Sequence, residues 1–457
     1  MGKTLMMSRK SFKSIILIKE NFVRINRLNK IKIIVSLLSI SIIMGAIIFA
    51  VQFDSPETKS TTVVSPTTNN EDSSLTGTIH IGGLFPLTGT LSNLGEDGRA
   101  GANLAVINFN NYLDELGESW KLNLRIEDSA TSPVTTLEKI TSLKAKNTNI
   151  ILGPASSADV SYVKGYVDSN NMLIVSYASS AASLSIPNDN LYRLAPDTIE
   201  QGNAIANIIY NEGITTLIPI WRGDVWGDEL HNSVFSEFIR IGGIVDDGIR
   251  YFPDTTTFPI ETSFLVQRVQ HHLDSTDTEK IGVLIIGFQE YVQIIYSALQ
   301  YDDILDNIRW FGSPGITKTS QMVDELPLRE FAEKTQFYAI QFSASHSPEH
   351  DKVKNRIESD LARSAGIYAF TAYDGVWIIG LAILETQSND VNIIKEKIPE
   401  IAEKYNGVIG STKLNNAGDL ATANYDIVGI KNDQWVLIGA YDSNSGVISK
   451  TDQLLIQ

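Results

Sequence analysis

The 457-residue chain contains no cysteine, which removes disulfides, thiolate metal ligands, cysteine nucleophiles and lipid attachment at a cysteine. The compartment stays open, because a chain this long can build a core that needs no disulfide. Histidine is scarce too: of six, only His271 and His272 are adjacent, and neighbours on a helix point in different directions, so no zinc-ligand set is in view. The chain lacks a G-x-G-x-x-G after its first strand, a G-x-x-x-x-G-K-[ST] loop and a G-x-S-x-G elbow. An enzyme is therefore not expected, nor a metal or cofactor. Asp128 and Asp374 could pass for catalytic carboxylates, but each sits where an acidic residue commonly fixes a loop. No Asn-x-Ser/Thr acceptor occurs.

A positive balance of charge is confined to the start of the chain. Residues 1–53 hold nine Lys and Arg against Glu20 alone, net +8, so the total of −16 leaves −24 for residues 54–457. A body this acidic offers no basic face for phosphates, which excludes nucleic acid as a partner. All the positive charge of that first segment lies before Ile33–Phe53, a run of 21 almost wholly apolar residues. As a helix it would span about 31 Å at ~1.5 Å per residue, enough to cross a bilayer. The charge asymmetry places a basic tail, residues 1–32, in the cytoplasm and the rest outside. The expectation is a single-pass anchor at the cell membrane with an extracellular binding domain; a cleaved signal peptide is the alternative. Asp54 to Thr76 is rich in Ser, Thr, Pro and Asn and reads as a disordered tether over residues 54–76.

From Gly77 onward, strand and helix patterns alternate. TIHIGGLFPL precedes the Gly-rich stretch Thr88–Gly95, then an amphipathic helix is expected over Gly101–Leu116. WKLNLRIEDS, NIILGP and MLIVSYA read as strands separated by helices, and a second series follows Arg193-Leu-Ala-Pro-Asp197. Such βαβ series imply parallel sheets, so the fold class is α/β with two Rossmann-like lobes. ANYDIVGIK and QWVLIGAY, separated by a turn at Lys431-Asn-Asp433, read as a closing hairpin.

Two apolar runs end abruptly in small and hydroxyl residues, Asn149-Ile-Ile-Leu-Gly-Pro-Ala-Ser-Ser-Ala158 and Met172-Leu-Ile-Val-Ser-Tyr-Ala-Ser-Ser180. In open α/β sheets ligands bind beyond the carboxyl ends of strands, where helix N-termini present N–H groups to an anion. Ser156, Ser157 and Ser180 are thus candidate ligand contacts, although serine at such places also simply caps helices.

In order along the chain, FPLTGTLSNLGEDGRAGANLAV, RIEDSATSP, IILGPASSADV, LIVSYASSA, YRLAPD and YDIVGIKNDQWVLIGAY resemble the type I periplasmic solute-binding proteins, especially the branched-chain amino acid receptors of ABC importers. The resemblance implies two lobes joined by a three-segment hinge, lobe 1 from 77–197 plus 335–425 and lobe 2 from 198–334 plus 426–450. It implies a small amino-acid-like, amide or carboxylate ligand held by hinge closure, and an ABC transporter permease as partner; the rival is a sensor that signals through a membrane partner. The ligand contacts carried over are Ser157, Ala178 and Ser180, which in the family hold the ligand carboxylate and part of the ammonium, and Trp226 and Phe288 as aromatic walls. The sequence departs from the family pattern at Leu94, where a tyrosine is common, and at Pro314, where an acidic residue often neutralises an amine. Glu290 and Asp224 are the nearest acidic alternatives.

Overall fold

A computed structural model describes residues 75–316, 319–344 and 347–451. The expected basic tail and membrane helix lie outside the described residues, as does all but the end of the tether. The described residues form one compact unit.

The first sheet is built from β1 (Gly77–Phe85), β2 (Trp120–Asp128), β3 (Ile150–Leu152), β4 (Leu173–Ser176) and β5 (Leu191–Arg193), in the order β2-β1-β3-β4-β5 and parallel throughout. Its helical connections are α1 (Ser92–Leu116), α2 (Pro133–Ala145) and α3 (Ser157–Ser169). β3 and β4 are buried on both faces, which is why they read as unbroken apolar runs.

After β5 the chain passes through α4 (Thr198–Asn211) to β6 (Thr216–Arg222), α5 (Val225–Arg240), β7 (Ile244–Val245), β8 (Ile249–Tyr251), α6 (Pro259–Leu273), β9 (Ile281–Ile286), α7 (Tyr291–Ala298), β10 (Arg309–Gly312) and α8 (Leu326–Lys334). β11 (Tyr338–Phe342) follows, then α9 (Pro348–Leu361), α10 (Ile367–Thr386), α11 (Val391–Lys404), the small ribbon β12 (Asn406–Gly407) and β13 (Gly410–Ser411), and finally β14 (Tyr425–Lys431), β15 (Gln434–Asp442) and β16 (Val447–Lys450). The second sheet has the order β16-β15-β14-β11-β10-β9-β6-β7, with β8 also paired to β6. It is parallel from β7 to β11 and antiparallel from there to β16.

Three differences from the sequence reading have clear causes. A second-lobe boundary at 334 would put β11 in the first lobe, yet β11 pairs in parallel with β10 and antiparallel with β14, so the chain returns to the first lobe only after Phe342. α1 begins at Ser92 rather than Gly101 because Gly95, Gly98 and Gly101 recur every third residue and make a face without side chains. A Cβ on Gly95 would lie 2.0 Å from the Pro86 carbonyl oxygen, and one on Gly101 would lie 1.9 Å from that of Ala369 in α10. The glycines let α1 press against the β1 end and against α10, and they do not mark a loop. The charged helices α9 and α11 escaped the apolar pattern. The expected hairpin is present: Lys431 pairs with Gln434 across Asn432 and Asp433, both at positive φ as a type I′ turn requires.

α10 is the one helix among the described residues long and apolar enough to cross a membrane. Here it is a core helix, buried along most of its length. Within it, Asp374 is fully buried and accepts from the Tyr405 hydroxyl and from the N–H groups of Val408 and Ile409, so it fixes the turn that joins β12 to β13. Asp128 likewise ties the loop after β1 to that after β2, accepting from Leu87, Thr88 and Ala130.

At the end of β5 the chain leaves the first sheet, and Arg193 is fully buried there in a bidentate pair with Asp419 at 2.5 and 2.7 Å. Its remaining donors reach the Ala181 carbonyl and the Ser185 hydroxyl. Removing one member leaves the other charge buried without its partner. Asp419→Ala is therefore expected to lower unfolding free energy by about 3–5 kcal/mol, measured by chemical denaturation.

Candidate functional site

Both sheets have a strand order that reverses direction, between β1 and β3 in the first and between β6 and β9 in the second, and the carboxyl ends at these points face one another. The lobes touch here: the Gln289 N–H reaches the Thr90 carbonyl at 3.3 Å, the Ser92 hydroxyl reaches Gln289 Oε1 at 3.2 Å, and Val225 packs on the core beneath α3. Between them lies a cavity of about 20 Å³ lined by Leu91, Leu94, Ala155, Ser156, Ser157, Ala178, Trp226, Phe288, Gly315 and Tyr368. Six of the seven residues singled out in the sequence thus meet around one space, though they follow five separate strands. Ser180 does not line it.

The first-lobe wall is the start of α3. Ser156 Oγ accepts from the Asp159 N–H at 3.4 Å, so this serine caps the helix. Ser157 Oγ accepts from the N–H groups of Ser180 and Ala181 at 3.0 and 3.1 Å, which occupies both lone pairs and directs its proton to Ser179 Oγ, 3.0 Å away. Ser157 therefore ties the β4 end to the β3 end, and Ser180 contributes through its backbone. As the first residues of the helix, Ser157 and Ala158 carry N–H groups with no intrahelical acceptor, and these face an anion-favouring helix end.

The second-lobe wall is aromatic. Trp226 and Phe288 stack with ring centroids 4.8 Å apart and planes 23° from parallel. Behind Phe288, 4.7 Å from its centroid, lies the guanidinium of Arg222, a residue the sequence reading passed over. Arg222 is only 7% exposed, ends a strand otherwise apolar but for Thr216, and donates to Asp224 at 2.6 Å and to Glu290 at 2.9 Å. Asp224 also caps α5 through the Gly227 N–H, and Glu290 accepts from the Tyr251 hydroxyl at 3.0 Å. Neither acidic residue lines the cavity; both serve Arg222, whose pKa they raise against the lowering effect of burial. The signal that could have exposed Arg222 was a charge closing the buried strand TLIPIWR.

Strand ends from two sheets that close on one small cavity define a two-lobed ligand-binding protein of the type I periplasmic-binding fold. The chain belongs to the family described as the receptor family ligand binding region, whose model matches residues 99–433. Members bind ligands and are not enzymes. An uncharacterized protein of Methanocaldococcus jannaschii is 27% identical over 401 residues, 84% of this chain and 94% of that one. Among solved structures, a leucine-binding protein of Thermotoga maritima superimposes with TM-score 0.68 at 17% identity, covering 80% of this chain and 99% of its own. The branched-chain amino acid binding protein LivJ of Streptococcus pneumoniae, in complex with isoleucine, gives TM-score 0.64 at 16% identity, covering 82% and 100%. A solute-binding protein of R. palustris in complex with benzoate gives 0.66 at 14%, covering 82% and 98%.

A cavity of about 20 Å³ has room for about one water. Any larger ligand must part the lobes or the aromatic stack. Ligand binding is expected to change intrinsic tryptophan fluorescence, and the change should vanish in Trp226→Phe while binding persists within about tenfold; calorimetry and fluorescence on the same samples check both.

Proposed function

We propose that this protein is an extracytoplasmic receptor that captures a small carboxylate lacking a required amine and presents it, by lobe closure, to an ABC transporter permease. One observation carries the ligand class: the cavity lining joins a helix N-terminus to apolar and aromatic walls and, among the described residues, includes no acidic side chain. Asp224 and Glu290, each two residues from an aromatic of the second-lobe wall, are held by Arg222 behind Phe288. A buried ammonium would lack a counter-charge there, whereas a carboxylate would meet free N–H groups. Leu94 and Pro314 point the same way, and the benzoate complex shows that this fold accommodates a carboxylate without an amine. The apolar stretch Ile33–Phe53, preceded by basic residues, supports a membrane anchor that holds the receptor outside the cell.

The ligand binds one lobe first and bridges to the other, and its extra contacts favour the closed form that a permease would recognise. A sensor would use the same closure. Purification with a permease supports import; a signalling kinase in its place would favour the sensor.

The ligand class is tested by calorimetry of the full chain against 4-methylpentanoate, leucine and 4-methylpentanamide, which share one carbon skeleton. The acid is expected to bind at least as tightly as leucine and far more tightly than the amide. A strong preference for leucine over the acid would sink the reading. Ser157→Ala should weaken the acid by about 1–3 kcal/mol, since it frees the Ser180 and Ala181 N–H groups and loosens the wall.

A further inference from the structure

We infer that Asp159 couples ligand capture to a proton, so that the lobes close on an anion with the Asp159 carboxyl in its neutral form. The inference rests on the carboxylate reading of the ligand and adds a residue that selects for it.

Asp159 stands in the first turn of α3, two residues beyond Ser157 in the cavity wall. It is 1% exposed, and neither carboxyl oxygen has a well-formed hydrogen bond among the described residues. This is unusual for a helix start, where a carboxylate commonly takes backbone N–H groups; here Ser156 takes the Asp159 N–H. From α2 comes Thr136, whose hydroxyl favours the charged form and itself lacks a well-formed hydrogen bond. From the end of β4 comes Tyr177, fully buried with an unpartnered hydroxyl, and Asp97 of α1 acts on the same tyrosine. From the second lobe come Arg222 and Asp224, of opposite sign. Arg222 is the only cation in this set, and Asp224 and Glu290 already share its charge.

Burial is thus the largest influence on Asp159 and pushes its carboxyl up to about 7, with Thr136 and Arg222 opposing only in part. Two of the facing groups belong to the other lobe. Opening removes that lobe and admits water, which returns the carboxyl toward its ordinary range near ~3.9. A ligand carboxylate at the α3 N-terminus would place a second negative charge within a turn of Asp159, and like charges so close favour protonation further.

The sign follows. The closed form has the higher pKa, so closing takes up a proton between the ordinary value and about 7. Affinity is greatest in acid, falls with rising pH up to about 7, and levels off above it. Between pH 6 and pH 8 the loss is about tenfold for a group moving from ~4 to ~7.

The test is calorimetry of the full chain with 4-methylpentanoate at pH 6, in two buffers of different ionisation enthalpy, repeated at pH 8. The wild type should take up close to one proton per ligand at pH 6 and bind about tenfold more weakly at pH 8. Asp159→Asn should take up almost none, keep its affinity across the range and bind more tightly than the wild type at pH 8. A residue that merely supports the helix would instead weaken binding at every pH when replaced. Tight binding by the wild type without proton uptake, or unchanged pH dependence in Asp159→Asn, overturns the inference and leaves the carboxylate reading standing. Binding of leucine with no binding of 4-methylpentanoate overturns both.

Discussion

The geometry of the cleft depends on the guanidinium of Arg222. It is buried at the end of β6, where an unpaired charge would be untenable, so it gathers Asp224, Glu290 and the face of Phe288 around itself. Each of those contacts sets something else in place. Asp224 caps α5 and so fixes the turn that carries Trp226. Glu290 precedes α7 and also holds the Tyr251 hydroxyl from the neighbouring strand β8. Phe288, held from behind, offers its other face to Trp226. One buried cation therefore orients both aromatic walls and withdraws two carboxylates from the ligand's side.

The first lobe solves a different problem with neutral groups. β3 and β4 end within reach of each other, and Ser157 joins their loops by accepting two N–H groups from the second loop. Ser176 adds a further tie, donating to the Pro154 carbonyl and accepting from the Ser179 N–H. Serine hydroxyls spent in this way leave the helix N–H groups as the anion-facing feature. The two lobes thus play complementary parts in the cleft. The first supplies donors without charge, and the second supplies apolar surface backed by a neutralised ion cluster.

Much of this was legible in the sequence because parallel strands buried on both faces leave unbroken apolar runs, and their ends coincide with the candidate residues. Ser156 and Ser157 were found as helix-start residues, Ala178, Trp226 and Phe288 came from the family resemblance, and the cavity brings them together with Leu94. What pattern could not supply was partnership. That Ser157 is satisfied within the loops, or that Asp224 and Glu290 turn away from the cavity, depends on contacts across 23 or 68 residues of chain. The β11 assignment failed for a related reason. A strand's sheet is decided by its neighbours, and β11 is parallel to β10 on one side and antiparallel to β14 on the other. The glycines of α1 misled because Gly usually breaks helices, whereas here each one admits a close neighbour.

The tightness of the closed cleft bears on selectivity. A Cβ on Gly315 would sit 2.5 Å from the Gly287 carbonyl oxygen, 2.7 Å from the Trp226 ring and 2.9 Å from that of Phe288. Bare backbone therefore forms the wall at this point, and the rings press directly on it. A ligand that enters must replace the contact between Trp226 and Phe288, an aromatic pair worth about 0.5–1.5 kcal/mol beyond its buried area, or must move the pair as a unit. Either route favours a guest with an apolar body to restore the lost packing. A carboxylate on that body can then reach the start of α3, while a strongly hydrated polar solute would give up its water on the aromatic side and gain nothing there.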